Sequence, residues 1–432
     1  MSVEVAVVGG GIGGLSAAYF ALERGFSVEL FEGTGHLGGL AGSFDFNGLT
    51  IEKYYHFICG GDLELVELAG RLGIGDKLRF QPTRTAFYYD GRYYPFGTPS
   101  DLVRFSPISL MSRLRFGLNI TTCKYARSWA KLDNVSSKEW LIERIGEKAY
   151  NVIWNPLLKV KFGRHYDKIS AAWIWHRIRR VASSRRGLFS KERMGYFVGG
   201  SQTLITALEG RIMELGGSIG LYSKVKEVVK KGNMLRLVFD SGKECNFDKV
   251  VLAIPLPVAA ETVKSLAPGF ALELSSIDFI GVVCGIFRLK EKVTDAFWLN
   301  TNDPRIAANG VIEYTNLNPL EEISPHKIVY VPFYVSLEDK WYSKDEESLR
   351  SAFLDMLKIV NPGLTESSVV AFRAFRSPCA QAICEVGFKD RVPPVKTPIE
   401  NLFVLDSTQT YPCDRNLSSL IGLARKMVED CF

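Results

Sequence analysis

No stretch of this sequence approaches the roughly 18–20 consecutive apolar residues that a membrane-spanning helix needs, so no span is expected. Histidine is scarce, at 5 in 432 residues, and the five stand apart. The eight cysteines, Cys59, Cys123, Cys245, Cys284, Cys379, Cys384, Cys413 and Cys431, are scattered without a C-x-x-C pair. That excludes a zinc-ribbon spacing and a disulfide scaffold, so reduced thiols and no metal site are expected. No Cys-His or Ser-His-Asp constellation offers nucleophilic catalysis. No basic segment precedes the first apolar run, which reads as a strand and not as a signal peptide. A cytoplasmic location follows as the expectation.

What is present is ordinary in bulk and uneven in detail. A hydrophobic fraction of 47% with 23% charged residues suits a globular chain able to bury a large core. The length suggests two to three domains. The net charge of +6 hides an asymmetry: residues 101–200 hold 20 Lys or Arg against 7 Asp or Glu. Such an excess reads as a solvated set of helices, or as a surface or pocket for a phosphate, a carboxylate or a membrane face. Nucleic acid is not expected, because no recognised binding motif accompanies the charge.

The first fifty residues organise the rest. Val5 to Val8 is a short apolar run, as for a parallel strand covered on both faces. Gly9, Gly11 and Gly14 then fit G-x-G-x-x-G, with Ile12 and Gly13 between them. The first glycine makes the turn, the second lets a pyrophosphate approach the backbone, and the third lets helix and strand pack. The helix that follows points its free N–H groups and positive dipole end at the phosphates. Glu32 ends the next strand, where a carboxylate accepts ribose hydroxyls. This unit is a dinucleotide site compatible with NAD or FAD.

The stretch from Val5 to Phe44, with its second glycine turn at Gly38-Gly39, resembles the N-terminus of the FAD-dependent amine oxidase superfamily. That group includes protoporphyrinogen oxidase, phytoene desaturase, monoamine oxidase and UDP-galactopyranose mutase. The resemblance implies FAD as cofactor, lined by Gly33, Gly38, Gly39 and Leu40 besides the first motif. It implies an adenine contact at Val225, where the chain re-enters the cofactor domain after Gly199-Gly200. It places the loop Lys53 to Phe57 near the flavin ring, with His56 and Tyr55 as catalytic candidates. The phrase "VIWNPLLKVKFG", ending in Phe162-Gly163, is similar to a region that caps the active site in protoporphyrinogen-oxidase-like proteins, which makes Lys161 a substrate-binding candidate. The superfamily's closing segment is a strand, Gly-Asp, a loop and a helix facing the flavin. Here Asp406 follows the strand with no glycine before it, so either Asp406 or Ser407 takes the acid's place. Arg415, Asn416 and Leu417 stand at the closing helix start, where a cation and backbone donors suit a flavin carbonyl or a phosphate.

The rest of the chain reads in order. Asn47-Gly48 and Asp90-Gly91 mark hairpin turns. Ser100 and Ser106 are expected N-caps, and Ser136 another. In "WIWHRIRRVASSRR" aromatics alternate with Arg177, Arg179, Arg180, Arg185 and Arg186 at helical spacing. That is a membrane-facing helix, a solvated face or the wall of an anion pocket, and on the last reading Arg180 is a substrate contact. Strands are expected near 281–289, 328–335 and 369–375. The expected architecture is α/β, with a discontinuous Rossmann-like FAD-binding domain (1–85, 195–265 and 395–432), a mostly helical substrate or cap insertion (86–194) and an α+β substrate domain with an antiparallel sheet (266–394). The resemblance implies an FAD-dependent oxidoreductase removing a hydride from a C–H bond of a small anionic or lipid-like substrate, by desaturation or amine-type oxidation. A redox-neutral flavin-dependent mutase acting on a nucleotide sugar is the alternative. A non-catalytic lipid-binding chaperone, as in the Rab GDP-dissociation inhibitors, is a remote third. A peripheral membrane contact through the basic helical insertion is a further expectation. Nothing in the sequence speaks to oligomeric state.

Overall fold

Val5 to Val8 is buried on both faces, and its position in the sheet explains why. The computed structural model describes residues 4–126, 128–183, 192–308, 310–319 and 325–432. Arg185 and Arg186 lie outside them. The strand Glu4–Val8 is the middle member of a five-stranded sheet. In order, the strands are Ser218–Gly220, Ser27–Phe31, Glu4–Val8, Lys249–Leu252 and Leu402–Val404, all parallel. They come from the beginning, middle and end of the chain. The helix Ile12–Glu23 is buried from Ile12 to Leu22, because helices Gln202–Glu214 and Leu417–Cys431 cover what the sheet does not.

A second, seven-stranded sheet stands apart. Its order is Val369–Ala382, Phe279–Leu289, Lys327–Val335, Gly310–Glu313, Trp298–Thr301, Thr85–Tyr89 and Arg92–Pro95. The pairs are antiparallel except Trp298–Thr301 with Thr85–Tyr89. The tyrosine-rich ribbon thus forms one edge of this sheet. Both hairpin turns form as expected: Asn47 and Gly48 adopt φ of 57° and 83°, Asp90 and Gly91 of 50° and 70°, as a two-residue primed turn requires.

A helical layer closes the molecule. Ser136 caps the helix Ser137–Ile145 as expected, accepting from the Glu139 N–H. Ser100 and Ser106 do not cap. Thr98 does, because Pro99 takes the first helical position and Asp101 returns a bond to the Thr98 N–H, completing a capping box. Ser109 caps Leu110–Tyr125. The segment Tyr150–Trp154 is wound as a π-helix, which frees carbonyls from the usual ladder. The buried Asn302 side chain takes two of them, donating to Val152 O at 2.8 Å and Ile153 O at 2.9 Å. This bond pair ties the seven-stranded sheet to the helix that follows, Asn155–Phe162.

Two buried carboxyls are held by hydrogen bonds, and the first joins two layers. Glu52 Oε1 accepts from the Ser201 N–H at 2.9 Å and from the Tyr314 hydroxyl at 3.4 Å, linking cofactor segment to substrate sheet. Glu313 accepts from the Val293 N–H at 2.8 Å and the Thr315 hydroxyl at 3.0 Å. Burial pushes the Glu313 carboxyl up to about 7, against these bonds. The native state therefore holds a proton that the unfolded chain releases, and stability falls as pH rises from about 4.5 to about 7. Denaturant unfolding across that window should show a loss on the order of 3 kcal/mol. The Glu313→Gln variant should flatten the slope, and an unchanged slope would assign the effect elsewhere.

Candidate functional site

The sheet's carboxyl edge brings the two glycine turns together. Gly38 N–H donates to Gly10 O at 2.8 Å, and Gly11 bridges Gly38. Two glycines in the first turn have different reasons to be there. A Cβ on Gly14 would lie 1.9 Å from Gly9 O, so the protein's own backbone forbids one. A Cβ on Gly11 would meet nothing within 4 Å, and its φ of −71° suits any residue. Neither packing nor backbone requires glycine at position 11. The space above it does, if a ligand lies against the chain. The helix Ile12–Glu23 starts there with no side-chain cap and no acid in its first turn. Its first N–H groups thus lack the partners that capped helices have, which is the arrangement a pyrophosphate completes.

Glu32 stands beside this cradle. Its Oε2 accepts from the Gly10 N–H at 2.8 Å, and its Oε1 accepts from the Thr34 N–H and hydroxyl at 2.8 Å each. A carboxylate has about four acceptor positions, so capacity is left for a hydroxyl. The backbone of Ser223 donates to Glu32 O at 2.8 Å, and a Cβ on Gly33 would lie 3.3 Å from Lys224, which brings Val225 to the same corner. Gly9, Gly11, Ile12, Gly13, Gly14, Glu32, Gly33, Gly38, Gly39, Leu40 and Val225 therefore converge on one end of the sheet.

The other residues gather into a buried, charged cluster between the closing helix, the helical layer and the seven-stranded sheet. Lys161 extends from the helix Asn155–Phe162, its Nζ 4.9 Å from the Trp173 ring and 4.8 Å from the Tyr334 ring. Arg415 Nη2 donates to the Tyr334 hydroxyl at 3.4 Å. Arg177 Nη1 donates to Asp414 Oδ2 at 2.7 Å. Trp173, Arg177 and Arg180 recur at helical spacing on Ala171–Ser183, whose Trp173 and Trp175 are buried, so this helix faces inward as a pocket wall. Tyr55 packs edge-on against Trp298 and Tyr330.

The electrostatics follow from burial. Asp414 is drawn down to about 2: burial works to raise it, and Lys161, Arg177, Arg180 and Arg415 together overcome that. Lys161 is lowered, chiefly by burial. The Tyr334 phenol is lowered although burial opposes it, because Lys161 and Arg415 favour the phenolate. Burial raises Tyr55 well above the usual phenol range. His56 falls to about 4 through burial and the Arg415 charge, so it is a neutral imidazole near pH 7. Its Nδ1 is buried without a hydrogen-bond partner among the described residues. His176 also falls to about 4, mainly through burial, and accepts from the Asp414 N–H at 3.3 Å.

Tyr55, His56, Lys161 and Arg415 are thus brought together. Arg180 is held apart: it pairs with Asp62 at 2.8 and 3.3 Å, while Asp62 also accepts from the Cys59 N–H at 2.8 Å. Asp406 caps the short turn Ser407–Thr410, accepting from the Thr408 N–H at 2.8 Å. Asn416 caps the helix Leu417–Cys431, accepting from the Ser419 N–H at 2.8 Å. Asp414 and Tyr334 were not among the expected site residues. Asp414 could have been suspected only from its place beside Arg415, and Tyr334 gives no local signal. Among the described residues no helix is long and apolar enough to cross a membrane.

Comparison with known proteins places this geometry. A family model described as flavin containing amine oxidoreductase matches residues 12–412. A coproporphyrinogen III oxidase from Staphylococcus aureus is 23% identical over 287 residues, 59% of this chain and 61% of that protein, so the match spans less than two thirds of the relative. A 15-cis-phytoene desaturase from Synechococcus elongatus is 22% identical over 462 residues, 97% of this chain and 93% of the other. The solved structure of an oxidoreductase from Methanosarcina mazei shares the fold, with a TM-score of 0.75 at 18% identity over 99% of this chain and 100% of that one.

Proposed function

The chain belongs to the flavin containing amine oxidoreductase family and is an FAD-dependent oxidoreductase, and from that premise we propose that it oxidises a small substrate bearing a carboxylate or phosphate. The observation that carries the anionic substrate is the charge balance of the cluster. Lys161, Arg177 and Arg415 are gathered around one carboxylate, Asp414. Enclosed charge without a counter-charge is costly, so the surplus favours an anion from outside.

Gly11 with the uncapped start of Ile12–Glu23 would hold the FAD pyrophosphate, Glu32 the ribose, and Arg415 with the Leu417 helix start the flavin end. The chemistry that FAD would supply when bound there is a two-electron oxidation of a C–H bond. Lys161 and Arg177 fix the anionic group of the substrate and so orient the C–H bond to be broken. Tyr334, whose phenol Lys161 and Arg415 make more acidic against the effect of burial, is the group on hand to take the proton that leaves the neighbouring atom. Loss of hydride from one atom and proton from the next leaves C=C or C=N. His56 stays neutral beside Arg415 and offers Nδ1 as an orienting contact. Tyr55, held protonated by burial, serves as a hydrogen-bond donor.

The test needs no known substrate. Small carboxylates and inorganic phosphate titrated into the holoenzyme should perturb the flavin absorption spectrum saturably. The Lys161→Met variant should weaken that binding about tenfold or more, the worth of one charged hydrogen bond. Equal binding by Lys161→Met would remove the anionic reading. Consumption of no reductant alongside turnover of a nucleotide sugar would favour the mutase alternative.

A further inference from the structure

The helix Leu110–Tyr125 has two apolar faces, and only one is used. Phe116 and Cys123 are buried against the helices Ser137–Ile145 and Ala171–Ser183. The opposite face carries Leu110, Met111, Leu114, Leu118 and Tyr125, exposed by 59%, 66%, 61%, 64% and 72%. At 100° per residue these five fall within one stripe about 100° wide. Large apolar residues scattered singly on a surface need no explanation, but a continuous stripe on one helix does.

The flanks say what covers it. Arg113 and Arg115 border the stripe on either side. Arg113 Nε donates to Ile108 O at 3.0 Å, and Arg115 Nε donates to Arg144 O at 3.1 Å. Both guanidiniums are pinned by backbone carbonyls and, among the described residues, not by carboxylates, so their positions are fixed and no acid there cancels their charge. The helix lies in the stretch where 20 Lys or Arg face 7 Asp or Glu. A second copy of the chain meeting this face with its own would set the arginines of each against those of the other. An anionic lipid surface presents the opposite charge on the flanks and a hydrocarbon boundary to the stripe.

We propose that this protein docks on anionic membranes through the outward face of Leu110–Tyr125, the helix lying in the plane of the interface. The inference does not depend on which substrate the cluster takes. It differs from a membrane role for the helix Ala171–Ser183, whose tryptophans are buried.

The holoenzyme is sedimented with vesicles of phosphatidylcholine alone and of equal parts phosphatidylcholine and phosphatidylglycerol. Binding should be confined to the anionic vesicles and weaken as salt is raised. The Leu114→Glu, Leu118→Glu double variant should bind about tenfold or more weakly, with flavin content and circular dichroism unchanged because both residues face outward. Leu114→Gln with Leu118→Gln serves if the charged pair disturbs folding. Equal binding by variant and wild type overturns the proposal. So does absence of binding to anionic vesicles, equal binding to both vesicle types, or a concentration-dependent dimer that the double variant abolishes.

Discussion

Replacing Gly11 with Val should yield a folded protein that holds no FAD. The new Cβ meets no protein atom within 4 Å, and the backbone at φ −71°, ψ 175° is one that valine readily adopts. The helix start has no side-chain cap to lose, so the cost to the apoprotein is a few tenths of a kcal/mol to about 1 kcal/mol. The branched carbons instead fill the space where the pyrophosphate approaches the backbone. Flavin absorbance per polypeptide should drop to background, while the melting temperature of apo variant and apo wild type should agree within a few degrees. Apo must be compared with apo, because bound FAD itself stabilises the native state. Gly14→Val should behave in the opposite way: its Cβ would fall 1.9 Å from Gly9 O, so this variant should fail to fold. Retained flavin in Gly11→Val would refute the assignment of the cradle.

The second large effect concerns Asp414. The Asp414→Asn variant keeps the shape and removes the carboxylate that Arg177 binds and that Lys161 and Arg415 lie close to. Taking away one partner of a buried pair leaves the others uncompensated, and the expected loss is about 3–5 kcal/mol by denaturant unfolding. The pH dependence adds a signature. Asp414 is drawn down to about 2 in the folded chain, and an unperturbed Asp titrates at about 3.9. Its stabilisation is therefore present above about pH 4 and lost as pH falls toward about 2. The variant should lack the part of the acid-induced loss that falls in that window. An Asp414→Asn protein as stable as wild type at pH 7 would mean that solvent already screens the cluster.

Much of the cofactor end was legible because its rules are local. A glycine turn between an apolar strand and a helix, and an acid at the end of the next strand, are set by backbone conformation and nearest neighbours. The same holds for Asn47-Gly48 and Asp90-Gly91, where two consecutive positive φ values select the residues. The cluster was legible only in part. Lys161 and Arg415 could be suspected from the phrases around them, but Arg180 could not be told from Arg177. Which of the two meets Asp62 and which meets Asp414 depends on how Ala171–Ser183 crosses two loops far away in sequence. The parallel pairing of Thr85–Tyr89 with Trp298–Thr301 was invisible for a like reason: no local pattern specifies a partner some two hundred residues distant. The misplaced caps at Ser100 and Ser106 show the same limit at short range, since any nearby hydroxyl is a candidate, and Thr98 and Ser109 take the two helix starts.

The sheet that holds the cofactor draws its five strands from three distant parts of the chain, and Leu402–Val404 forms one edge. That order sets a timetable. During synthesis the strand Lys249–Leu252 has no outer neighbour until Leu402–Val404 emerges, and the helix Ile12–Glu23 waits longer still for its cover from Leu417–Cys431. Contacts this distant in sequence make for slow folding, with strand edges and apolar helix faces open meanwhile. The glycine cradle between Gly9 and Gly14 therefore gains the cover of Leu417–Cys431 only some four hundred residues later in synthesis.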